Sequence, residues 1–234
     1  MKTKMLATAA KITLAALLSI TATGAVLAQS SGAPPAKVTA STPAPKLVVV
    51  IAVDQFSADL FAEYRSHFTG GLARLASGVV FPAGYQSHAA TETCPGHSTI
   101  LTGNHPAHTG IIANNYFDLS VPRDDKRVYC AEDETVAGTT SGSGKYAPSV
   151  NHLLVPTLGD LMKAANPKAQ VVSVAGKDRA AIMMGGHKAD ELMWLVPTGL
   201  TGYRGTTVSP TAQQAGTAIA PALAQPRPAA TRPA

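Results

Sequence analysis

The sequence lacks the features of a nucleic-acid-binding protein. It contains no basic helix and no basic stripe interleaved with aromatic residues. The formal net charge of +5 arises from basic side chains near the two ends of the chain, and the remainder is close to neutral. Nucleic-acid-binding domains concentrate positive charge on one face, so we expect no nucleic-acid partner. The terminal basic residues are Lys2, Lys4, Lys11, Arg227 and Arg232.

A membrane-spanning segment is also lacking near the amino end. The apolar stretch from about Ile12 to Ala28 follows two lysines and is shorter and more polar than a membrane span. This pattern predicts a secretory signal peptide over residues 1–28, cleaved before Gln29. We therefore expect a periplasmic or secreted protein with no membrane association after cleavage.

Cysteine is scarce, and the chain contains two, Cys94 and Cys130. Exported compartments oxidise thiols, so two cysteines in an exported chain predict one disulfide. Two buried free thiols are the alternative.

Two common catalytic motifs are missing. No Gly-x-Ser-x-Gly elbow occurs, and Ser98 falls inside an apolar helical segment, which argues against a serine hydrolase. Residues 142–145 (GSGK) are followed by Tyr146, and their spacing does not match a phosphate-binding Walker loop. We interpret this stretch as a surface loop.

After the signal peptide over residues 1–28, the patterns that are present predict two further parts. Residues 29–46 are rich in Ala, Pro, Ser and Thr, which is typical of a flexible linker. Residues 47–234 are predicted to be the amino-terminal part of an α/β domain, with a mostly parallel central sheet flanked by helices. The run 47–53 is apolar and β-branched and predicts a strand buried on both faces, ending at Asp54.

Helix signals follow this strand. Ser57 predicts a cap for a helix to about Tyr64, and Thr157 predicts a cap for a second helix that stops at residues 166–167 (Asn-Pro). A strand is predicted over 170–175, and a helix over 210–223 with an internal Pro221. Strands alternating with helices indicate crossover units and a parallel sheet.

The chemistry concentrates around residues 93–97 (TCPGH), which precede an apolar helical segment. Pro95 suits the first turn of a helix, so Thr93 lies at or just before a helix amino terminus. Free backbone N–H groups and the helix dipole favour an anion there. A Thr in this place is more often a plain cap, and a lone Asp54 after a strand is more often a turn residue.

Four separated elements together favour a functional role for Thr93 and Asp54 over a plain cap and a turn residue. They are Asp54 after the strand, residues 93–97 (TCPGH), Asn114 with Asn115, and residues 176–179 (GKDR). In this order they resemble the threonine-dependent alkaline phosphatases, members of the alkaline phosphatase superfamily close to the nucleotide pyrophosphatase/phosphodiesterases. The resemblance spans roughly residues 47–187. It implies an alkaline-phosphatase-like fold and an enzyme that hydrolyses small-molecule phosphate esters.

The resemblance also implies residue roles. Asp54 and Thr93 correspond to zinc ligands, and Thr93 to the nucleophile that forms a phosphothreonine. Asn114 corresponds to a side chain that hydrogen-bonds a non-bridging phosphoryl oxygen. Lys177 and Arg179 correspond to a pair that contacts phosphate oxygens in the monoesterase branch, where a dianion needs extra donors.

The resemblance leaves the zinc site incomplete at the carboxyl-terminal side. A two-zinc site needs about six or seven protein ligands, and residues 192–234 contain no Asp, Glu or His. No histidines are spaced as an i, i+4 zinc pair, and we assign His97 to helix packing or capping. We expect little activity from this chain alone, as for a fragment or truncated product.

The sequence leaves two other functions open. A phosphodiesterase or nucleotide pyrophosphatase could use the same nucleophile and metals, although Lys177 and Arg179 favour the monoesterase. A non-catalytic exported module that binds metal or phosphate is the other.

Overall fold

A computed structural model describes residues 45–81, 84–86, 88–141, 145–203 and 208–226. The predicted signal peptide, the linker up to residue 44, residues 142–144 and the tail from residue 227 lie outside the described residues. The chain divides into two compact units, Met1–Val49 and Val50–Ala234. Every helix and strand given below belongs to the second unit.

The described residues form seven α-helices, one 3₁₀ turn and five short strands. The helices are α1 (Ala58–Tyr64), α2 (Gly70–Ala76), α3 (Thr93–Thr102), α4 (Pro106–Thr109), α5 (Leu158–Ala165), α6 (Asp178–Gly185) and α7 (Pro210–Ala224), with a 3₁₀ turn at Arg65–His67. The strands are β1 (Asn115–Phe117), β2 (Arg127–Tyr129), β3 (Val172–Ala175), β4 (Glu191–Val196) and β5 (Gly199–Gly202). Among the described residues, no helix is both long and apolar enough to cross a bilayer.

The predicted helix caps are confirmed. The Ser57 side chain accepts a hydrogen bond from the Leu60 N–H at the start of α1. Thr157 and Asp160 form a reciprocal capping box at the start of α5, and the helix stops before Asn166. The helix predicted from Pro210 is α7. Capping depends on residues three positions apart, so the sequence alone carries the signal.

The sheets are less parallel than predicted. β3 lies within the strand predicted over residues 170–175, and it pairs parallel with β4 in the register Val172 to Glu191, with α6 as the connecting helix. β5 pairs with β4 antiparallel, and β1 pairs with β2 antiparallel. The α/β class is therefore correct, but only one of the described strand pairs is parallel.

The strand predicted over residues 47–53 is wrong for the described structure. These residues have no strand assignment, and the side chains of Leu47, Val49 and Ile51 are 78%, 66% and 64% exposed. An apolar β-branched run becomes a buried strand only where another strand supplies hydrogen-bond partners. None of the described strands pairs with this run.

The core lies where α3, α6 and β2 meet. The disulfide between Cys94 and Cys130 is confirmed and is fully buried. It packs in one cluster with Ile111, Leu153 and Ile182. α3 packs directly against α6, so the helix that begins at Thr93 and the helix that follows Lys177 are held together.

Candidate active site

The first turn of α3 carries Thr93. Thr93 is the first helical residue, Glu92 is the N-cap, and Pro95 occupies the first turn as predicted. The Thr93 side chain is half-buried, whereas the next two residues are buried. A hydroxyl group therefore stands at the positive end of a ten-residue helix, where an anion is favoured.

Asp54 lies beside this hydroxyl. The Thr93 hydroxyl donates to Asp54 Oδ2 over 3.4 Å, and His97 Nδ1 lies 3.8 Å from Asp54 Oδ1. His97 is one turn beyond Thr93 on the same helix face and is buried, as predicted for a packing residue. The Asp54 side chain itself is 56% exposed. The turn that presents it includes Gln55 with a left-handed φ of 60°, a conformation that is uncommon outside glycine.

The donors at this point fit part of a zinc site. Two ligand oxygens on one tetrahedral zinc, each bound at about 2.0–2.2 Å, lie roughly 3.3–3.6 Å apart. The 3.4 Å between Thr93 Oγ1 and Asp54 Oδ2 would allow both oxygens to bind one zinc ion. Zinc takes four ligands, and the described residues contain no group of three or more His, Cys, Asp or Glu side chains that could hold a metal. Asp54 and Thr93 would therefore account for two ligands of such a site, and the described residues do not complete it.

Asn114 is hydrogen-bonded to the start of α3 through both its side chain and its backbone. Its side-chain Oδ1 accepts from the Cys94 N–H at 2.8 Å, and its backbone N–H donates to Glu92 Oε2 at 2.6 Å. The amide oxygen is thus occupied, which leaves the amide NH₂ as the group able to donate to another oxygen.

Lys177 and Arg179 lie at the start of α6. Lys177 is the exposed N-cap, and Arg179 is the second helical residue and half-buried. Arg179 Nε is buried and has no hydrogen-bond partner among the described residues. The structure brings Asp54 to Thr93 and Asn114 to the first turn of α3. No described contact joins Lys177 or Arg179 to Thr93, and their link is the packing of α6 on α3.

Sequence reasoning missed a buried carboxylate between these two basic residues. Asp178 accepts hydrogen bonds from the hydroxyls of Tyr129 and Tyr146. It also missed Glu92 as the partner of Asn114. An acidic residue in a helical first turn is a readable signal, but nothing in the sequence indicates which tyrosines bind it.

Comparison with known proteins decides the family. The sequence model of the type I phosphodiesterase / nucleotide pyrophosphatase family matches residues 48–229. The chain belongs to this family. The resemblance to the alkaline phosphatase superfamily is therefore confirmed.

Two bacterial alkaline phosphatases are similar in sequence to this chain. The alkaline phosphatase PhoK of a Sphingomonas species is 64% identical over 197 residues, which are 83% of this chain and 35% of that protein. The alkaline phosphatase PhoD of Zymomonas mobilis is 62% identical over 147 residues, 63% of this chain and 25% of that protein. The chain thus spans about a third or less of the length of these relatives.

The fold agrees with solved structures of the alkaline phosphatase PafA. The wild-type crystal structure matches with a TM-score of 0.59 and 35% identity, over 68% of this chain and 31% of that one. A variant of PafA, with a threonine, an asparagine, a lysine and an arginine substituted, matches with a TM-score of 0.55 and 29% identity over 69% of this chain and 32% of that one. The expected alkaline-phosphatase-like α/β fold is confirmed for the part covered.

Proposed function

We propose that this chain supplies the nucleophile side of a zinc-dependent phosphomonoesterase site that works through a phosphothreonine at Thr93. The observation that carries the proposal is the Thr93 hydroxyl at the start of α3 with Asp54 Oδ2 at 3.4 Å. The helix terminus favours the phosphate anion, and the carboxylate accepts from the hydroxyl that must lose its proton. Among the named relatives, PhoK and PhoD are alkaline phosphatases.

The proposed reaction has two displacements. Thr93 Oγ forms a bond to phosphorus as the bond to the ester oxygen breaks, and the leaving alcohol takes up a proton. A water molecule then attacks the phosphothreonine and releases inorganic phosphate, which restores the hydroxyl. Splitting one hard step into two easier steps is the gain of nucleophilic catalysis.

Three side chains from two places in the chain would supply donors around the phosphoryl group. The Asn114 amide NH₂ is available for a non-bridging oxygen, since its Oδ1 is held by the Cys94 N–H. Arg179 offers a buried Nε with no partner in the described structure, and Lys177 offers an exposed ammonium group. Such donors act most strongly where they are fixed in place before charge develops.

The PafA variant supports these assignments. Its four substituted residues are a threonine, an asparagine, a lysine and an arginine. Thr93, Asn114, Lys177 and Arg179 have the same residue types in the same chain order and at almost the same spacing. We infer that they form one functional group of residues in this chain as well.

Zinc is the expected cofactor, two ions per complete site, and Asp54 with Thr93 would hold one of them. When bound, it lowers the pKa of a hydroxyl coordinated to it, so that ionisation occurs near neutral pH. The described residues contain no group of three or more His, Cys, Asp or Glu side chains that could complete such a site. We therefore propose that the 234 residues alone turn over phosphate esters very slowly even with zinc.

A phosphodiesterase is the second candidate, since the matched family is named for that activity. A monoester carries one more negative charge on its non-bridging oxygens than a diester, so Lys177 and Arg179 should favour the monoester. The ratio of aryl phosphate to diaryl phosphate hydrolysis separates the two. A strong preference for the diester would overturn the assignment.

Function is best tested in a graft, defined as the Sphingomonas phosphatase PhoK with its 197 matched residues replaced by those of this chain. We expect the graft to hydrolyse an aryl phosphate, and Thr93→Ala to lower kcat by at least about a thousandfold. Thr91→Ala is the matched control, because Thr91 is exposed and precedes α3. An active graft that keeps its activity with Thr93→Ala would refute the proposal.

Export is part of the same proposal. A buried disulfide suits an oxidising compartment, and residues 1–28 have the pattern of a signal peptide. Fractionation should place the protein in the periplasm or medium, with Gln29 as the new amino terminus. Recovery in the cytoplasm with an intact Met1 would contradict it.

A further inference from the structure

A carboxylate is buried between the two basic residues at the start of α6. Asp178 is 7% exposed and lies between Lys177 and Arg179. Its Oδ1 accepts from the Tyr129 hydroxyl at 2.8 Å and its Oδ2 from the Tyr146 hydroxyl at 2.6 Å. A buried carboxylate is tolerated when its oxygens are hydrogen-bonded, and here both of them are.

The two tyrosines form a fixed support for this carboxylate. Their rings meet edge to face with centroids 5.0 Å apart. Burial raises the pKa of Tyr129, and a hydrogen bond from the Arg179 side chain opposes this rise. Burial together with the hydrogen bond to Asp178 raises the pKa of Tyr146. Both hydroxyls therefore keep their protons and remain donors to Asp178.

This support is tied to the nucleophile. Tyr129 precedes Cys130, whose disulfide partner Cys94 follows Thr93 directly. A covalent path thus runs from Thr93 to Tyr129, and one hydrogen bond continues it to Asp178. The first turn of α6 is held in a defined place relative to the first turn of α3.

We propose that Asp178 is a positioning residue, which, held by Tyr129 and Tyr146, directs Lys177 and Arg179 toward the phosphate bound at Thr93. The inference rests on the proposed function. Asp178 does not contact the substrate in this scheme. It fixes the backbone from which both cationic side chains project, and Arg179 Nε is buried with no hydrogen-bond partner among the described residues.

The first test uses the full chain and follows the Arg179 Nε–Hε signal by NMR, assigned with Arg179→Lys. We expect Asp178→Asn to shift this signal or to lose it to exchange with water, and Tyr146→Phe to do so to a smaller degree. Asp190→Asn is the matched control, because Asp190 also accepts from two donors, Lys163 and the Val171 N–H. An unchanged Arg179 signal in folded Asp178→Asn would overturn the inference.

The second test measures ester preference in the graft. A donor displaced by about 1 Å can cost on the order of 100-fold in rate, so we expect Asp178→Asn to lower kcat/KM for an aryl monoester roughly 10- to 100-fold. The diester, which depends less on the cationic pair, should lose less than about 3-fold. Asp178→Glu should recover part of the monoester rate.

The two tests separate the inference from the proposed function. Equal losses for monoester and diester would indicate a purely structural role for Asp178 and would overturn the inference. A graft without any activity would count against the proposed function, and the Arg179 signal in the full chain would still decide the role of Asp178.

Discussion

Residues 45–81 and residues 88–203 differ sharply in how they are held. In the first region, α1 and α2 bury no side chain fully, and Leu72 and Leu75 are 45% and 58% exposed. In the second region, α3, α6 and β2 enclose a disulfide and a cluster of fully buried side chains. The two proposed zinc ligands come one from each region, Asp54 from the exposed one and Thr93 from the packed one.

Both regions contain helices, but we expect them to differ in local stability. The exposed region is expected to open more readily than the packed region, because few buried contacts oppose opening. The Asp54 to Thr93 contact then depends on a weakly held segment, whereas Asn114 and the start of α6 are fixed by the core. Four predictions test this contrast, from the largest expected effect to the smallest.

The disulfide should matter most, and only for the packed region. The bond closes a loop with a sequence separation of 36, and a loop of that size stabilises by roughly 3–4 kcal/mol. We expect Cys94→Ala with Cys130→Ala to lower the free energy of unfolding by about that much in urea titrations. Amide exchange within α1 and α2 should change little. A loss confined to residues 45–81 would break the contrast.

Two glycines with left-handed backbones should respond differently to alanine. At Gly186, with φ of 73°, a Cβ would lie 2.4 Å from Thr157 Oγ1 and 2.5 Å from Asp160 Oδ2. At Gly70, with φ of 56°, it would meet nothing within 4 Å. We expect Gly186→Ala to cost about 2–3 kcal/mol and Gly70→Ala about 1 kcal/mol. Equal costs by denaturation would argue against the packing described at Thr157.

The local features of both regions could be predicted from the sequence. The caps at Ser57 and Thr157, the helix start at Thr93 and the disulfide depend on residue types that signal their own structure, and each is confirmed. The strand over residues 47–53 was wrong because an apolar pattern predicts burial but does not supply the partner strand.

The support around Asp178 could not be predicted for a different reason. Tyr129 and Tyr146 lie 49 and 32 residues away from it along the chain. Neither tyrosine lies in a motif, and the pairing exists only because β2 and the loop after it fold against α6. Contacts of this kind are set by tertiary packing, which periodicity does not report.

The two helix caps offer a smaller contrast. Thr157 is fully buried and belongs to a reciprocal capping box, whereas Ser57 caps an exposed helix. We expect Thr157→Ala to cost about 1.5–2 kcal/mol and Ser57→Ala about 0.5 kcal/mol. Thr157→Ser keeps the hydroxyl and serves as the control. A larger loss of stability for Ser57→Ala than for Thr157→Ala in thermal unfolding would contradict the proposed difference between the two regions.

Acid should weaken the packed region through Asp160. Burial alone would raise the pKa of Asp160, but hydrogen bonds from Thr157, His187 and the Lys188 N–H outweigh it and hold the pKa below the ordinary value for an aspartate. The stabilisation is therefore present above the ordinary aspartate pKa and is lost as the pH falls through the lowered value. Unfolding free energies measured from pH 5 downward should decline in this range, and Asp160→Asn should flatten the decline. A wild-type curve as flat as that of the variant would contradict this assignment.

The central claim is that Thr93 is the residue that takes the phosphoryl group. The direct measurement is mass spectrometry of the graft after incubation with an aryl phosphate and quenching in acid, with the modified residue mapped by fragmentation. We predict phosphate on Thr93, and none on that peptide in Thr93→Ala. An active graft that carries phosphate on another residue, or that hydrolyses the ester with no phosphothreonine at Thr93, would contradict the account.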